Sequence, residues 1–377
     1  MVPFDDATCA QLTQRIREWG RELGFSAVGI SDTDLSHAEA GFTQWIQAGY
    51  HGEMDYMVKH GTKRTRPAEL VPGTQRVISV RMPYLPAATV RGQSRDWRAS
   101  EHAKLAEPDR AVVSIYARGR DYHKVMRQRL QQLAERIEAQ IGPFGYRVFA
   151  DSAPVLEVEF GQKAGIGWRG KHTLLLQRDA GSFFFLGELY VDLPLLTDAQ
   201  TDPSSAPRQN GAHCGHCTRC INACPTGAIV APYRVDARKC IAYLTIELHG
   251  SIPVELRPLI GNRIYGCDDC QLVCPWNKFA QMATCDDFDV RNGLDDARLV
   301  DLFAWSADEF NRRLAGSAIR RIGHERWLRN IAVALGNALR SLLPSALRDE
   351  LTAALRRRMD DSSALVREHV AWALETA

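Results

Sequence analysis

The run Cys214-Gly215-His216-Cys217-Thr218-Arg219-Cys220-Ile221-Asn222-Ala223-Cys224-Pro225 governs the interpretation of this chain, and Cys267-Asp268-Asp269-Cys270-Gln271-Leu272-Val273-Cys274-Pro275 repeats most of it. Three thiolates at this spacing can wrap one face of an iron–sulfur cube. A fourth cysteine followed by proline reaches out to a neighbouring cube, as in two-cluster bacterial ferredoxins. The second copy lacks its first cysteine, because Ile264 stands there, and Cys240 between the copies is the replacement. With the fourth ligands crossed, Cys214, Cys217, Cys220 and Cys274 hold one 4Fe–4S cluster, and Cys224, Cys240, Cys267 and Cys270 hold the other. Structural zinc and disulfides are the plainer alternatives, but zinc sites pair two C-x-x-C knuckles across a longer loop. The C-x-x-x-C-x-x-C of radical-SAM chemistry is absent. The spacing points to electron transfer.

At 377 residues the chain is long enough for two or three domains. A net charge of +2 with 24% charged residues excludes a general polycation. The start, Met1-Val2-Pro3-Phe4-Asp5-Asp6, has no apolar h-region, and no apolar run approaches a membrane span. Eight of the ten cysteines fall in cluster spacing, leaving Cys9 and Cys285, which suits a reducing compartment. These features predict a cytoplasmic protein without membrane contact.

Before the cysteines, residues 9–23 show helical periodicity ended by Gly24. Strand-like runs follow at Phe25–Ile30, Arg76–Val80, Val112–Ala117, Tyr146–Ala150, Thr173–Gln177 and Phe183–Val191. Tyr122–Ile141 reads as a long amphipathic helix and Pro154–Ala164 as another. Strands interleaved with helices over residues 1–196 predict one α/β or α+β domain. The polar stretch 197–210 reads as a linker, 211–285 as the cluster module, and 296–377 as wholly helical. Ile331–Leu335 and Val370–Leu374 match at an offset of 39 residues, close to a HEAT-type period, although two ordinary amphipathic helices also fit. Residues 311–340 hold Arg312, Arg313, Arg320, Arg321, Arg326, Arg329 and Arg340 against the single acid Glu325. That is either a footprint for phosphate or a solvated helix face.

Two motifs fail on context. Gly165-x-Gly167-x-x-Gly170 follows a helix and precedes a strand, the reverse of a dinucleotide turn. Asp121-x-His123 starts a D-x-H-x-x-G cobalamin signature, but Met126 occupies the glycine position. Asp151, in Asp151-Ser152-Ala153-Pro154, reads on capping grounds as a helix N-cap. A strand end is also where α/β domains place chemistry, and burial there would raise a carboxyl toward general-acid duty. The turn Lys63-Arg64-Thr65-Arg66-Pro67 is either a solvated loop or an anion clamp. His51-Gly52-Glu53-Met54 and Gly119-Arg120-Asp121-Tyr122-His123 are polar clusters that hint at a ligand face.

Together these stretches, with Gly181–Glu188 and Gly261-Asn262-Arg263-Ile264-Tyr265-Gly266-Cys267-Asp268-Asp269-Cys270, resemble the epoxyqueuosine reductase family over nearly the whole chain. The resemblance implies an α+β fold with a nitroreductase-like cobalamin-binding domain, a ferredoxin-like double 4Fe–4S module and C-terminal HEAT-like α-helical repeats. It implies reduction of epoxyqueuosine to queuosine at the wobble position of tRNA, with loss of water, by a monomer fed from an external low-potential donor of ferredoxin or flavodoxin type. Asp151 corresponds to the proton donor. Cobalamin contacts are implied at Arg64, Ser114, Asp151, Leu175, Leu186, Cys267 and Asp268. A docking face for tRNA is expected at Arg320, Arg321 and Arg329, on the arginine-rich stretch. A reductive dehalogenase uses the same cofactors but usually carries an export signal and lacks a basic tail. A bare electron shuttle would not need 195 residues ahead of its clusters.

Overall fold

A computed structural model describes residues 5–91, 96–201 and 210–375. Its centre is a four-stranded antiparallel sheet with spatial order Ala27–Ser31, Arg76–Pro83, Phe184–Val191, Tyr146–Phe149. Val77, Ile78, Val80, Leu189, Tyr190 and Val191 are all buried, because helices cover both faces of these two central strands. The Tyr122–Ile141 helix has the bounds its periodicity predicts and packs Met126, Leu130, Leu133 and Ile137 into that core. Asp121 caps its start, accepting from the His123 amide.

Strand register shapes the recess beside the sheet. Tyr146 lies opposite Val191 and Phe149 opposite Glu188, so Tyr146–Phe149 ends halfway along the longer central strand. Phe184, Phe185 and Leu186 run on beyond it, leaving a recess into which Ala150 and Asp151 turn.

Four expectations change here. The strand predicted at Val112–Ala117 pairs at Val112–Val113 before a 3₁₀ turn, and that predicted at Thr173–Gln177 shortens to Leu175–Leu176 with an isolated bridge from Gln177 to Gly181. The helix predicted from Pro154 begins at Glu157, with Leu156 as its N-cap residue. The linker expected over 197–210 starts instead as a packed helical turn, Asp198–Thr201. Asp198 is buried there and accepts from Arg17 and from the Ile30 amide. Its residues 202–209, like Met1–Phe4, lie outside the described residues.

The cluster module is stitched to the first region. Arg263–Tyr265 pairs in parallel with Val112–Val113. Gly266, at φ 70°, lets the chain pass Ser114 so closely that a Cβ on it would lie 2.6 Å from the Ser114 Cβ. One apolar core then runs from Ala111 and Val113 through Ile241, Leu244 and Ile264 into the helices Gly323–Leu339, Ser345–Arg356 and Ala364–Leu374. The two matching Ala/Leu segments fall on the first and last of these helices, which pack directly on each other. No helix among the described residues is long and apolar enough to cross a membrane.

Candidate active site

None of the ten cysteines forms a disulfide. Cys274 lies within electrostatic reach of Cys214, Cys217 and Cys220. Cys240 neighbours Cys224, and Cys270 neighbours Cys240 and Cys267. Cys220 also lies within electrostatic reach of Cys270, which brings the two neighbourhoods side by side. Among the described residues no three His, Cys, Asp or Glu side chains converge on one ion's position. A zinc knuckle draws its thiolates onto a single ion, whereas each iron of a cube takes one cysteine. Lys171 donates to the Gly215 and Cys217 carbonyls at 2.6 and 2.9 Å, and the Ala228 amide donates to the Cys224 sulfur at 3.2 Å.

A cavity of about 410 Å³ adjoins the second neighbourhood. Cys224, Cys240, Cys267 and Cys270 all lie on its wall. So do Ser114, Asp151, Leu175, Leu186 and Asp268, which the chain brings together from five separate segments. Arg64 departs from this set. It is buried between two adjoining cavities of about 480 and 530 Å³, donating to the Tyr56 carbonyl at 2.8 Å and the Ala153 carbonyl at 3.3 Å. It braces the Asp151 loop. Asp268 is satisfied within the protein, taking the Ser114 hydroxyl at 2.6 Å and the Ile115 amide at 2.7 Å. His172, also on the cavity wall, is buried, and its Nε2 has no partner among the described residues.

Asp151 stands on the partition between the first cavity and the 480 Å³ one. The capping reading is overturned: its backbone sits at φ 55°, six residues before the helix, and its carboxylate faces the site. Non-glycine residues adopt that region at a cost, and at functional sites such strain is held by surrounding bonds. Here the Glu157 carboxyl accepts the Asp151 amide at 2.6 Å, the Tyr122 hydroxyl donates to Oδ2, and His123 Nε2 lies 3.0 Å from the same oxygen.

The expected upward pKa shift is corrected too. Burial pushes the Asp151 carboxyl up, but the His123 bond and charge, the Tyr122 hydroxyl and the Arg321 charge outweigh it, and the net direction is down. His123 is clasped on its other side by Asp121, at 2.8 Å from Nδ1. Burial pulls the imidazole down, yet its bonds to Asp121 and Asp151 hold it above the usual histidine value. Burial likewise opposes ionisation of Asp121, but His123 and Arg321 bring it to about 2.

The helical tail supplies part of this wall. Arg321 donates to Asp121 at 2.8 Å and lies 3.2 Å from His123 Nε2, while Arg320 is exposed. Arg329 does not belong with them. It is fully buried, donating to the carbonyls of Leu244, Leu248 and Gly250, each at 2.7 Å, and no phosphate can reach it. Charge counting could not separate this internal strut from the exposed arginines. The turn Lys63–Pro67 is also more occupied than a free anion clamp, because Arg66 pairs with Glu39 and Glu69. His51–Met54 packs on the cluster module, with the Glu53 amide donating to the Tyr243 hydroxyl at 2.8 Å. Sequence reasoning missed Tyr122, His123, Glu157 and Glu188 as individual residues; the Gly119–His123 cluster was the signal for the first two.

Residues 64–152 match the family described as "Epoxyqueuosine reductase QueG, DUF1730", and 213–277 match the "4Fe-4S double cluster binding domain". The epoxyqueuosine reductase of Burkholderia pseudomallei is 71% identical, over 99% of this chain and 94% of its own length. That of Escherichia coli K12 is 54% identical over 97% and 89%. Among solved structures, a Bacillus subtilis epoxyqueuosine reductase with its catalytic aspartate loop swung out of the active site superposes at a TM-score of 0.81. It is 24% identical and the match covers 98% of this chain and 91% of that one. An epoxyqueuosine reductase crystallised with an epoxyqueuosine-modified tRNA-Tyr stem loop gives 0.78 at 23% identity, covering 98% and 99%. The two solved structures share the fold, and the close relatives share the sequence from end to end: the chain belongs to the epoxyqueuosine reductase family and is an oxidoreductase.

Proposed function

We propose that this protein reduces epoxyqueuosine to queuosine at the wobble position of tRNA, with cobalamin in the 410 Å³ cavity and its neighbours. The reading rests on one observation: the cysteines assigned to the second cluster, the apolar wall of Leu175 and Leu186, and Asp151 all face the same space. That wall fits a large, flat, amide-fringed group, and the unpartnered Nε2 of His172 offers it a buried polar contact. Cobalamin, when bound, supplies a reduced cobalt nucleophile. Ser114, Asp151, Leu175, Leu186, Cys267 and Asp268 would hold it, and Arg64 would act from the adjoining wall. The clusters are assigned as Cys214, Cys217, Cys220 with Cys274, and Cys224, Cys240, Cys267 with Cys270. The second lies beside the cavity and the first faces an external low-potential donor.

The protein's own part is proton delivery and positioning. Loss of the epoxide oxygen as water requires an acid beside it. Asp151, on the wall of the 480 Å³ cavity that takes the modified base, is read as that acid, and His123, whose pKa its two carboxylate contacts raise, stands 3.0 Å from it. The catalytic loop around Asp151 is taken to swing, as in the Bacillus subtilis protein. Residues 1–196 are read as nitroreductase-like, 211–285 as ferredoxin-like, and 296–377 as HEAT-like, with Arg320 and Arg321 toward tRNA. A cytoplasmic monomer completes the proposal. The test is mass spectrometry of tRNA nucleosides after incubation with reconstituted protein, cobalamin and a strong reductant. Queuosine should appear at the expense of epoxyqueuosine; unchanged epoxyqueuosine with both clusters loaded would overturn the assignment.

A further inference from the structure

Glu188 is fully buried on the central strand, and neither of its oxygens has a hydrogen-bond donor among the described residues. An ionised carboxylate there would be costly. The group within hydrogen-bonding reach is another carboxyl, Glu157. Two carboxylates offer each other no donor, so the contact is a hydrogen bond only when one of them carries a proton. Glu157 meanwhile accepts the backbone amide of Asp151, the residue held at φ 55°.

Resting on the reading of Asp151 as proton donor, we propose that Glu157 is a positioning residue. Backed by Glu188, it forms a protonated carboxyl pair that latches the Asp151 loop inside the site and releases it when the pair ionises.

The groups around the pair set the direction. Glu157 is faced by Asp151 from the loop, Tyr122 and His123 from the long helix, and Glu188 and Tyr190 from the central strand. Burial first, then the Asp151 charge, pushes the Glu157 carboxyl up to about 8, against the opposing pull of the Asp151 amide and His123. Glu188 is driven up by burial and by Glu157. The pair titrates as a unit. Because the raised value belongs to the loop-in state, that state is favoured while Glu157 keeps its proton, loses ground as pH rises from the ordinary carboxyl range to about 8, and levels off above it. Ionised, Glu157 would stand against the Asp151 carboxylate; swinging the loop out removes that repulsion.

Glu157→Gln tests this, since its amide oxygen can still accept the Asp151 N–H but it cannot ionise. Amide hydrogen exchange across 150–156 is followed in the holoprotein from pH 6 to 9, as protection factors corrected for intrinsic rates. The native loop should lose protection by up to about tenfold per pH unit at the steepest point. Glu157→Gln and Glu188→Gln should flatten that profile, and Glu157→Ala should lie open at every pH. Iron content and circular dichroism establish that each variant is folded; if Glu188→Gln fails this check, the two Glu157 variants decide. A native profile without pH dependence would overturn the latch; one that persists unchanged in Glu157→Gln would overturn it too and leave His123 as the titrating group. The readout involves no turnover. An active Asp151→Asn enzyme would therefore refute the donor reading while leaving loop protection as a separate result.

Discussion

Asp151 and Arg329 show how two charged side chains with similar sequence settings part company once their partners are known. Asp151 carries strained backbone and three bonds that converge on it, from Tyr122, His123 and Glu157. Asp151→Asn should fold, keep its iron and bind cobalamin, yet turn over about 10²–10⁴ times more slowly, measured as queuosine formed per unit time. On the proposed mechanism the proton Asp151 needs comes from its neighbour. His123 has a raised pKa in the folded protein, so its protonated form prevails below that value, and turnover should fall as pH climbs through it. Arg329 performs no such task. Arg329→Ala leaves the buried Leu244 and Leu248 carbonyls without their donor, at about 1–3 kcal/mol each, and the Gly250 carbonyl to water. Urea titration should show a clear loss of stability before any specific loss of tRNA affinity.

Among the elements, the short parallel pairing between Val112–Val113 and Arg263–Tyr265 carries more consequence than its length suggests. It is followed directly by Gly266 and then by Cys267 and Asp268, and Asp268 is tied back to Ser114 and Ile115. A Cβ at Gly266 would meet the Ser114 side chain and require a left-handed backbone from an alanine. Gly266→Ala should therefore cost about 1–3 kcal/mol, as overpacked sites do, and displace the Cys267 ligand. The check is a lowered Tm together with iron loss from the cluster beside the cavity. The sequence displayed the Gly-Cys-Asp-Asp-Cys string but carried no sign that its glycine touches residue 114, because sequence separation says nothing about which strands pair.

Across the whole molecule, two cubes predict about eight iron and eight sulfide per chain after anaerobic reconstitution, checked by elemental and sulfide analysis. Half that iron, or stoichiometric zinc, would refute the double cluster. The tail's basic face is the second global property. With Arg329 internal, Arg321 engaged by Asp121, Arg313 paired with Glu309 and Arg340 over the Trp372 ring, the exposed candidates left are Arg312 and Arg320. Replacing both by Ala should weaken tRNA binding and lower the log–log salt slope by about two if each meets a phosphate. Binding measured across a salt series is the check, and an unchanged slope would show a merely solvated face. Arg321 joins this surface to the acid site, since one guanidinium spans tail and catalytic loop through Asp121 and His123.

Consecutive residues were enough to establish the cysteine spacing, the long helix Tyr122–Ile141, the central strand and the family. All of these are local: ligand spacing, helical period and apolar runs are written in neighbouring positions. Asp151 was marked as well, but as one of two readings. The folded chain removed the capping reading, and the residues that hold and charge Asp151 come from the Tyr122–Ile141 helix, the Glu157–Lys163 helix and the helical tail. Folding alone withdrew Arg329 from the basic face, turned the start of the linker into a packed turn, and set Glu188 opposite Phe149 behind the catalytic loop. Burial and partner choice depend on contacts far apart in the chain, and they fix whether a charged side chain is solvated, structural or chemically poised.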